Sequence, residues 1–246
     1  MGSPVIMTAR HETVMCQGLA AAWPLGKTLR SMMDDRLAEV VEAPEVREHV
    51  EQTWKRSGVK TIQVTLGGIE IDPCGWTAIV KDLGWYLHAD AVSKILKICR
   101  TSDELMEASD SGILGVLLGT QDAGWCDHRF ERLDFLHQAG LRVLQLTYNG
   151  RNVFGDGCSE PANAGLSRLG RSLIQRANER NIIVDVSHCG DRTSLEAVQA
   201  SSKPVAVTHS ACKALHDHPR AKNDELLAAL RDNDGFFGVV ALPSFL

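Results

Sequence analysis

Short apolar runs recur along this chain with room for at least one helix between successive runs, and that alternation limits its fold more than any other feature. The runs are VKTIQVTL (59–66), GILGVLLG (112–119), LRVLQLTY (141–148), NIIVDVSH (181–188), KPVAVTH (203–209) and GFFGVVAL (235–242). They are rich in Val, Ile and Leu and mostly apolar on both faces, which is the pattern of parallel strands buried on both sides. Helical spacing fills the intervals. PEVREHVEQTWKRSG (44–58) has Pro44 in its first turn and Gly58 as a stop. RFERLDFLHQAG (129–140) places Phe130, Leu133 and Leu136 on one face and ends at Gly140. LSRLGRSLIQRANERN, RTSLEAVQASS and NDELLAALRDNDG follow the same rule, the last with Asn223 or Asp224 as its cap.

Strand and helix in turn predict a parallel sheet covered by helices. No GxGxxG follows a strand, which weighs against an open dinucleotide-binding sheet and favours a TIM-type (β/α) barrel. The runs above, with one more candidate strand at SPVIMTA (3–9), fall short of the eight that a barrel needs. The last run ends as the sequence does. The expectation is therefore an α/β chain forming a TIM-type (β/α) barrel, incomplete at its C-terminal end, in a single domain over residues 1–246. An unclosed barrel leaves an open sheet edge, and that edge predicts pairing with a second copy as a homo-oligomer.

Composition narrows the function classes. With 44% hydrophobic and 23% charged residues and a net charge of −5, the chain carries no basic footprint for nucleic acid. No run approaches the ~20 apolar residues of a membrane helix. MGSPVIMTAR lacks a charged leader followed by an apolar stretch, so no export signal is read and a cytoplasmic location is expected. The 7 cysteines are scattered and contain no CxxC, which fits reduced thiols better than a disulfide framework or a thiolate zinc knuckle.

Two of the apolar runs finish on a histidine, His188 and His209. Gln121 and Tyr148 stand at the ends of two others. In a parallel barrel all strand C-termini open on one face, so these four side chains converge there. Imidazole is the commonest zinc ligand, and a catalytic zinc takes three protein ligands and one open position. The bland alternative is a pair of core histidines bonded to carbonyls, and spacing alone leaves both readings open. Cys189 follows His188 directly, but a Cys–His nucleophile pair requires adjacency in space, not in sequence.

Over about Gly112 to Phe245 the chain resembles the membrane (renal) dipeptidase family, zinc-dependent dipeptidases with an amidohydrolase-like barrel. The resemblance rests on GTQDAGWCDHRFERLDFLHQAGLRVLQLTYN, SEPANAGLSRLG, VDVSH, VTHSACKALHDHPRAKN and GFFGVVALPSFL, in that order and spacing. It implies zinc ligation by His188 and His209 and capture of a dipeptide's carboxylate by Arg220, a role suited to a planar guanidinium. It also exposes departures. Gln121 stands where the family has a glutamate bridging two zincs, and could serve only as a weak ligand. Tyr148 stands where a histidine is usual, and a phenol there can donate to a substrate carbonyl or oxyanion. The first-strand H-x-D has no counterpart beyond His11, with Thr13 in the aspartate's place. The family's late catalytic aspartate would fall beyond Leu246. The expected activity is hydrolysis of small dipeptides by metal-activated water. The alternative is an impaired or inactive family member that acts at most as a small-ligand-binding barrel.

Overall fold

The computed structural model describes residues 14–17, 48, 51–52, 55–56, 58–67, 75–92 and 94–240. Among the described residues the strand pairings within each of its two compact units are parallel. The fold is α/β, with the strand–helix repeat of a TIM-type (β/α) barrel. The chain divides into two compact units.

The first unit contains β1 (Val14–Gln17), β2 (Val59–Thr65), α1 (Trp76–Val92), β3 (Leu96–Ile98), α2 (Ser102–Asp110) and β4 (Leu114–Thr120). β2 lies between β1 and β4, and β3 also pairs with β4. Every residue of β4 is buried, as its unbroken apolar run requires. Helix α2 begins with a reciprocal cap. Thr101 Oγ1 accepts from Glu104 N at 3.2 Å, and the Glu104 carboxylate accepts from Arg100 N. Asp82 of α1, itself buried, accepts from Gly67 N at 2.7 Å and so fixes the turn that leaves β2.

The second unit contains α3 (Phe130–Ala139), β5 (Leu141–Gln145), α4 (Arg168–Glu179), β6 (Ile183–Asp185), α5 (Asp191–Ala200), β7 (Val205–Ser210), α6 (Asp224–Asp232) and β8 (Phe236–Val239). The strands run β5-β6-β7-β8 in sequence order. Leu133 and Leu136 of α3 are buried, and Gly140, at φ 122°, turns the chain into β5 in a conformation other residues rarely adopt. In α4 the buried positions Gly170, Leu173, Ile174 and Ala177 keep helical spacing behind a Ser167 cap, whose Oγ accepts from Gly170 N at 2.9 Å. Asn223 caps α6 by accepting from Leu226 N at 2.9 Å.

The structure corrects two expectations about the strands. Eight are present among the described residues, more than the apolar runs implied. β3 is only three residues long between two helices, too short for its periodicity to show in the sequence. β1 is Val14–Gln17, while the candidate strand at 3–9, the His11 and Thr13 positions and residues 241–246 lie outside the described residues. The strands also stop short of the residues expected at their ends. β5 ends at Gln145, three residues before Tyr148, and β6 ends at Asp185, three before His188. At β6 the cause is local. The Asp185 carboxylate accepts from Ser187 N at 2.9 Å, a turn that takes this amide out of the strand ladder.

Candidate functional site

The turn after Asp185 delivers His188, and β7 delivers His209 at its penultimate position. Their Nε2 atoms face each other at 2.9 Å, with ring centroids 4.9 Å apart. Each ring is held from behind. His188 Nδ1 lies 2.7 Å from Asn149 Oδ1, and an amide oxygen carries no proton, so Nδ1 is the donor. This leaves the His188 Nε2 with a bare lone pair. His209 Nδ1 lies 2.8 Å from Thr208 Oγ1.

Tyr148 stacks on the His188 ring with centroids 4.2 Å apart and planes 24° from parallel. Its backbone N donates to Asp122 Oδ2 at 2.7 Å. Arg220 is buried, and its guanidinium donates to the Ser187 carbonyl and, at 3.4 Å, to the His209 carbonyl, so it sits on the backbones of both histidine segments. His188, His209, Tyr148 and Arg220 are thus brought together. Gln121 is buried in the same unit. Its carbonyl accepts from Gln145 Nε2, while its own side-chain Nε2 has no hydrogen-bond partner. Among the described residues no hydrogen bond joins the Gln121 side-chain nitrogen to either imidazole.

The loop from Asn149 to Ser167 borders the site. Asp156 organises it by accepting from Arg151 through both oxygens (2.6 and 3.0 Å) and from Ala164 N. Cys158 N donates to the His188 carbonyl at 2.8 Å. Gly157 packs so tightly that a Cβ there would lie 2.3 Å from the carbonyl oxygens of Tyr148 and Asn149. Only glycine fits such an approach.

The electrostatics favour neutral rings. Burial, then Arg220, His209 and Lys222, push the His188 pKa far down. Burial also lowers His209; Asp185 opposes this, and Arg220 and Lys222 add to it. Burial raises the Tyr148 pKa above its ordinary value, so its phenol keeps its proton as a donor. Lys222 is buried, donates to Cys189 O at 2.8 Å and Ser194 Oγ at 3.2 Å, and is pushed down to about 8 by burial.

Asn149, Thr208, Asp185 and Lys222 were not singled out from sequence. Asp185 alone left a signal, as the one acidic residue inside the run NIIVDVSH.

Two neutral imidazoles 2.9 Å apart suit a divalent cation, because ~2 Å bonds from both nitrogens reach a common ion. Among the described residues no third His, Cys, Asp or Glu joins them to make a ligand cluster. The donors these residues offer an ion are therefore the two imidazole Nε2 atoms.

Known proteins resemble this chain over parts of their length. Dipeptidase verJ of Clonostachys rogersoniana is 32% identical over 144 residues, covering 58% of this chain and 37% of that protein. An uncharacterized dipeptidase of Schizosaccharomyces pombe is 34% identical over 112 residues, 45% of this chain and 27% of that protein. This chain thus spans well under two thirds of those relatives. Among solved structures, an amidohydrolase from Pseudomonas aeruginosa superposes with a TM-score of 0.72 at 30% identity, over 78% of this chain and 58% of that one. A metallo peptidase from Rhodobacter sphaeroides, liganded with a phosphinate mimic of the dipeptide L-Ala-D-Ala, shares the fold with a TM-score of 0.76 at 20% identity, over 89% of this chain and 72% of that one. The profile of the membrane dipeptidase family, peptidase family M19, matches residues 85–246, which is more than half of the sequence, and the chain belongs to that family.

Proposed function

We propose that this chain forms the metal-binding part of a zinc-dependent dipeptidase that hydrolyses the peptide bond of small dipeptides. The observation that carries this reading is the approach of the two Nε2 atoms to 2.9 Å. His188 and His209 hold the ion, and Gln121 serves as a weak third ligand through its amide oxygen. The ion, when bound, supplies a Lewis acid for the scissile carbonyl and lowers the pKa of a water to roughly 7. Arg220 places a permanent positive charge beside the imidazoles, where it pairs with the dipeptide's carboxylate. Tyr148 donates its phenol proton as a hydrogen bond to the carbonyl oxygen as negative charge builds there. The substrate is a small peptide, with no nucleic-acid or membrane partner. No helix among the described residues is long and apolar enough to cross a membrane.

The test is zinc stoichiometry with dipeptide hydrolysis. Reconstituted protein is expected to hold zinc and to lose both zinc and activity on chelation. His188→Ala is expected to abolish binding. Protein that takes up no stoichiometric zinc after reconstitution defeats the reading. A second reading, a family member that binds ligand without turnover, draws on Gln121. An amide carries no charge to offset a second cation, and no third acidic or imidazole ligand is present among the described residues. Zinc binding with no hydrolysis of any dipeptide, at unimpaired folding, selects this second reading.

A further inference from the structure

The proton positions around His209 can be counted from the hydrogen bonds beneath it. Asp185 is fully buried and receives donors on both oxygens. Its Oδ1 accepts from Ser187 N at 2.9 Å, from Thr208 N at 3.2 Å and from Ser187 Oγ. Its Oδ2 accepts from Thr208 Oγ1 at 2.6 Å. A carboxylate only accepts, and two oxygens this close need a proton between them. The single hydroxyl proton of Thr208 is thereby committed to Asp185, so Thr208 Oγ1 can only accept from the ring nitrogen 2.8 Å away. His209 must carry its proton on Nδ1. Thr208, His209 and His188 supply three protons to four contacts of 2.6, 2.8, 2.9 and 2.7 Å, and the one left without is the longest, so the His209 Nε2 is bare and faces the bare Nε2 of His188, whose Nδ1 proton is committed to Asn149.

We infer that Asp185, acting through the Thr208 hydroxyl, is a positioning residue that locks His209 in its Nδ1–H tautomer and so keeps the two facing nitrogens open to a metal ion. The inference rests on the proposed metal site and deepens it. Without the lock, His209 is free to move its proton to Nε2 and donate it to His188 Nε2 across the same 2.9 Å gap. The two rings would then satisfy each other, and an incoming cation would have to break that bond. The geometry of the pair is the same in either case. Only the proton's location decides whether it is a ligand set or a closed hydrogen bond. Groups behind a ligating imidazole that fix its orientation in this way commonly change metal affinity by about 10–100-fold when removed.

The test reads the tautomer directly in metal-free protein, by long-range nitrogen–proton correlation of the histidine rings. Wild-type His209 is expected to show a protonated Nδ1 and a lone-pair Nε2. Thr208→Val, which keeps the shape and removes the hydroxyl, is expected to move the proton to Nε2 and to weaken Zn²⁺ binding about 10–100-fold in competition with a chelating dye. Thr208→Ser restores the hydroxyl and is expected to restore both readouts. Wild-type protein with its His209 proton on Nε2 overturns the inference without any variant. So does folded Thr208→Val that keeps Nδ1 protonated, or that binds Zn²⁺ as tightly as wild type. The ring readout needs no metal, so a wild-type protein with a locked Nδ1–H tautomer and no zinc affinity would sink the proposed function and leave the lock standing.

Discussion

Tyr148 can donate one proton, and its flat stack on His188 aims that capacity at a fixed place. Tyr148→Phe keeps the stacked ring and removes only the hydroxyl. If the phenol stabilises developing charge, this variant loses about 100-fold in kcat, the scale of a missing oxyanion donor, with KM nearly unchanged. Steady-state kinetics on a dipeptide measures the split; a loss confined to KM would reassign Tyr148 to ground-state binding. The two histidines stood out in the sequence because each closes an apolar run, although that placement alone left a core role open. Their supports did not stand out. Asn149 sits 39 positions before His188, in a loop where asparagine is ordinary, and nothing local reveals what its oxygen meets. Asp185 was the visible exception, since a carboxylate buried in a strand must find donors, and it finds four.

At the scale of elements, α3 and α4 are joined by Asp134, which receives Arg176 through both oxygens, at 3.1 and 2.5 Å, and Arg180 at 2.9 Å. Burial alone would raise the Asp134 pKa. The hydrogen bonds and charges of Arg176 and Arg180 outweigh it and hold the carboxyl below the usual aspartate range. A folded pKa below the unfolded one contributes stability above the unfolded value, near pH ~4, and that stability disappears as pH falls through the folded value. Asp134→Asn is therefore expected to be less stable than wild type at pH 7, by no more than about 1 kcal/mol for so solvent-accessible a cluster. The difference should shrink to nothing in strong acid. Urea unfolding across a pH series checks this, and a gap that widens toward low pH would contradict it. Helices α3 to α6 were readable from caps and spacing, Asn223 and Gly140 among them, because those signals are local, whereas α1 and α2 were not read that way and most of the stretch 44–58 lies outside the described residues. β3 was not, because three residues carry no period. The wiring of loop 149–167 through Asp156 was not legible either, because its partners Arg151 and Ala164 follow no repeating spacing.

For the whole molecule, the alternation of strand and helix was enough to name the fold class, while the division into two compact units left no mark in composition. Among the described residues β8 pairs only with β7, and its sequence FFGV has neither the charge nor the proline that guards an open edge. Val239 is 73% exposed there. The chain as it stands is expected to self-associate with rising concentration in sedimentation velocity, and Val239→Lys to reduce that tendency. A monodisperse monomer across the concentration range would contradict the expectation.

The loop bordering the imidazoles is not a flap. Cys158 N–H grips the His188 carbonyl, and Gly157 lies wedged beneath the carbonyls of Tyr148 and Asn149. Lifting residues 157–158 would drag His188 out of register, so this stretch is anchored to the ring it borders. If the site turns substrate over as proposed, residues 157–158 form a fixed part of its border that moves only with His188.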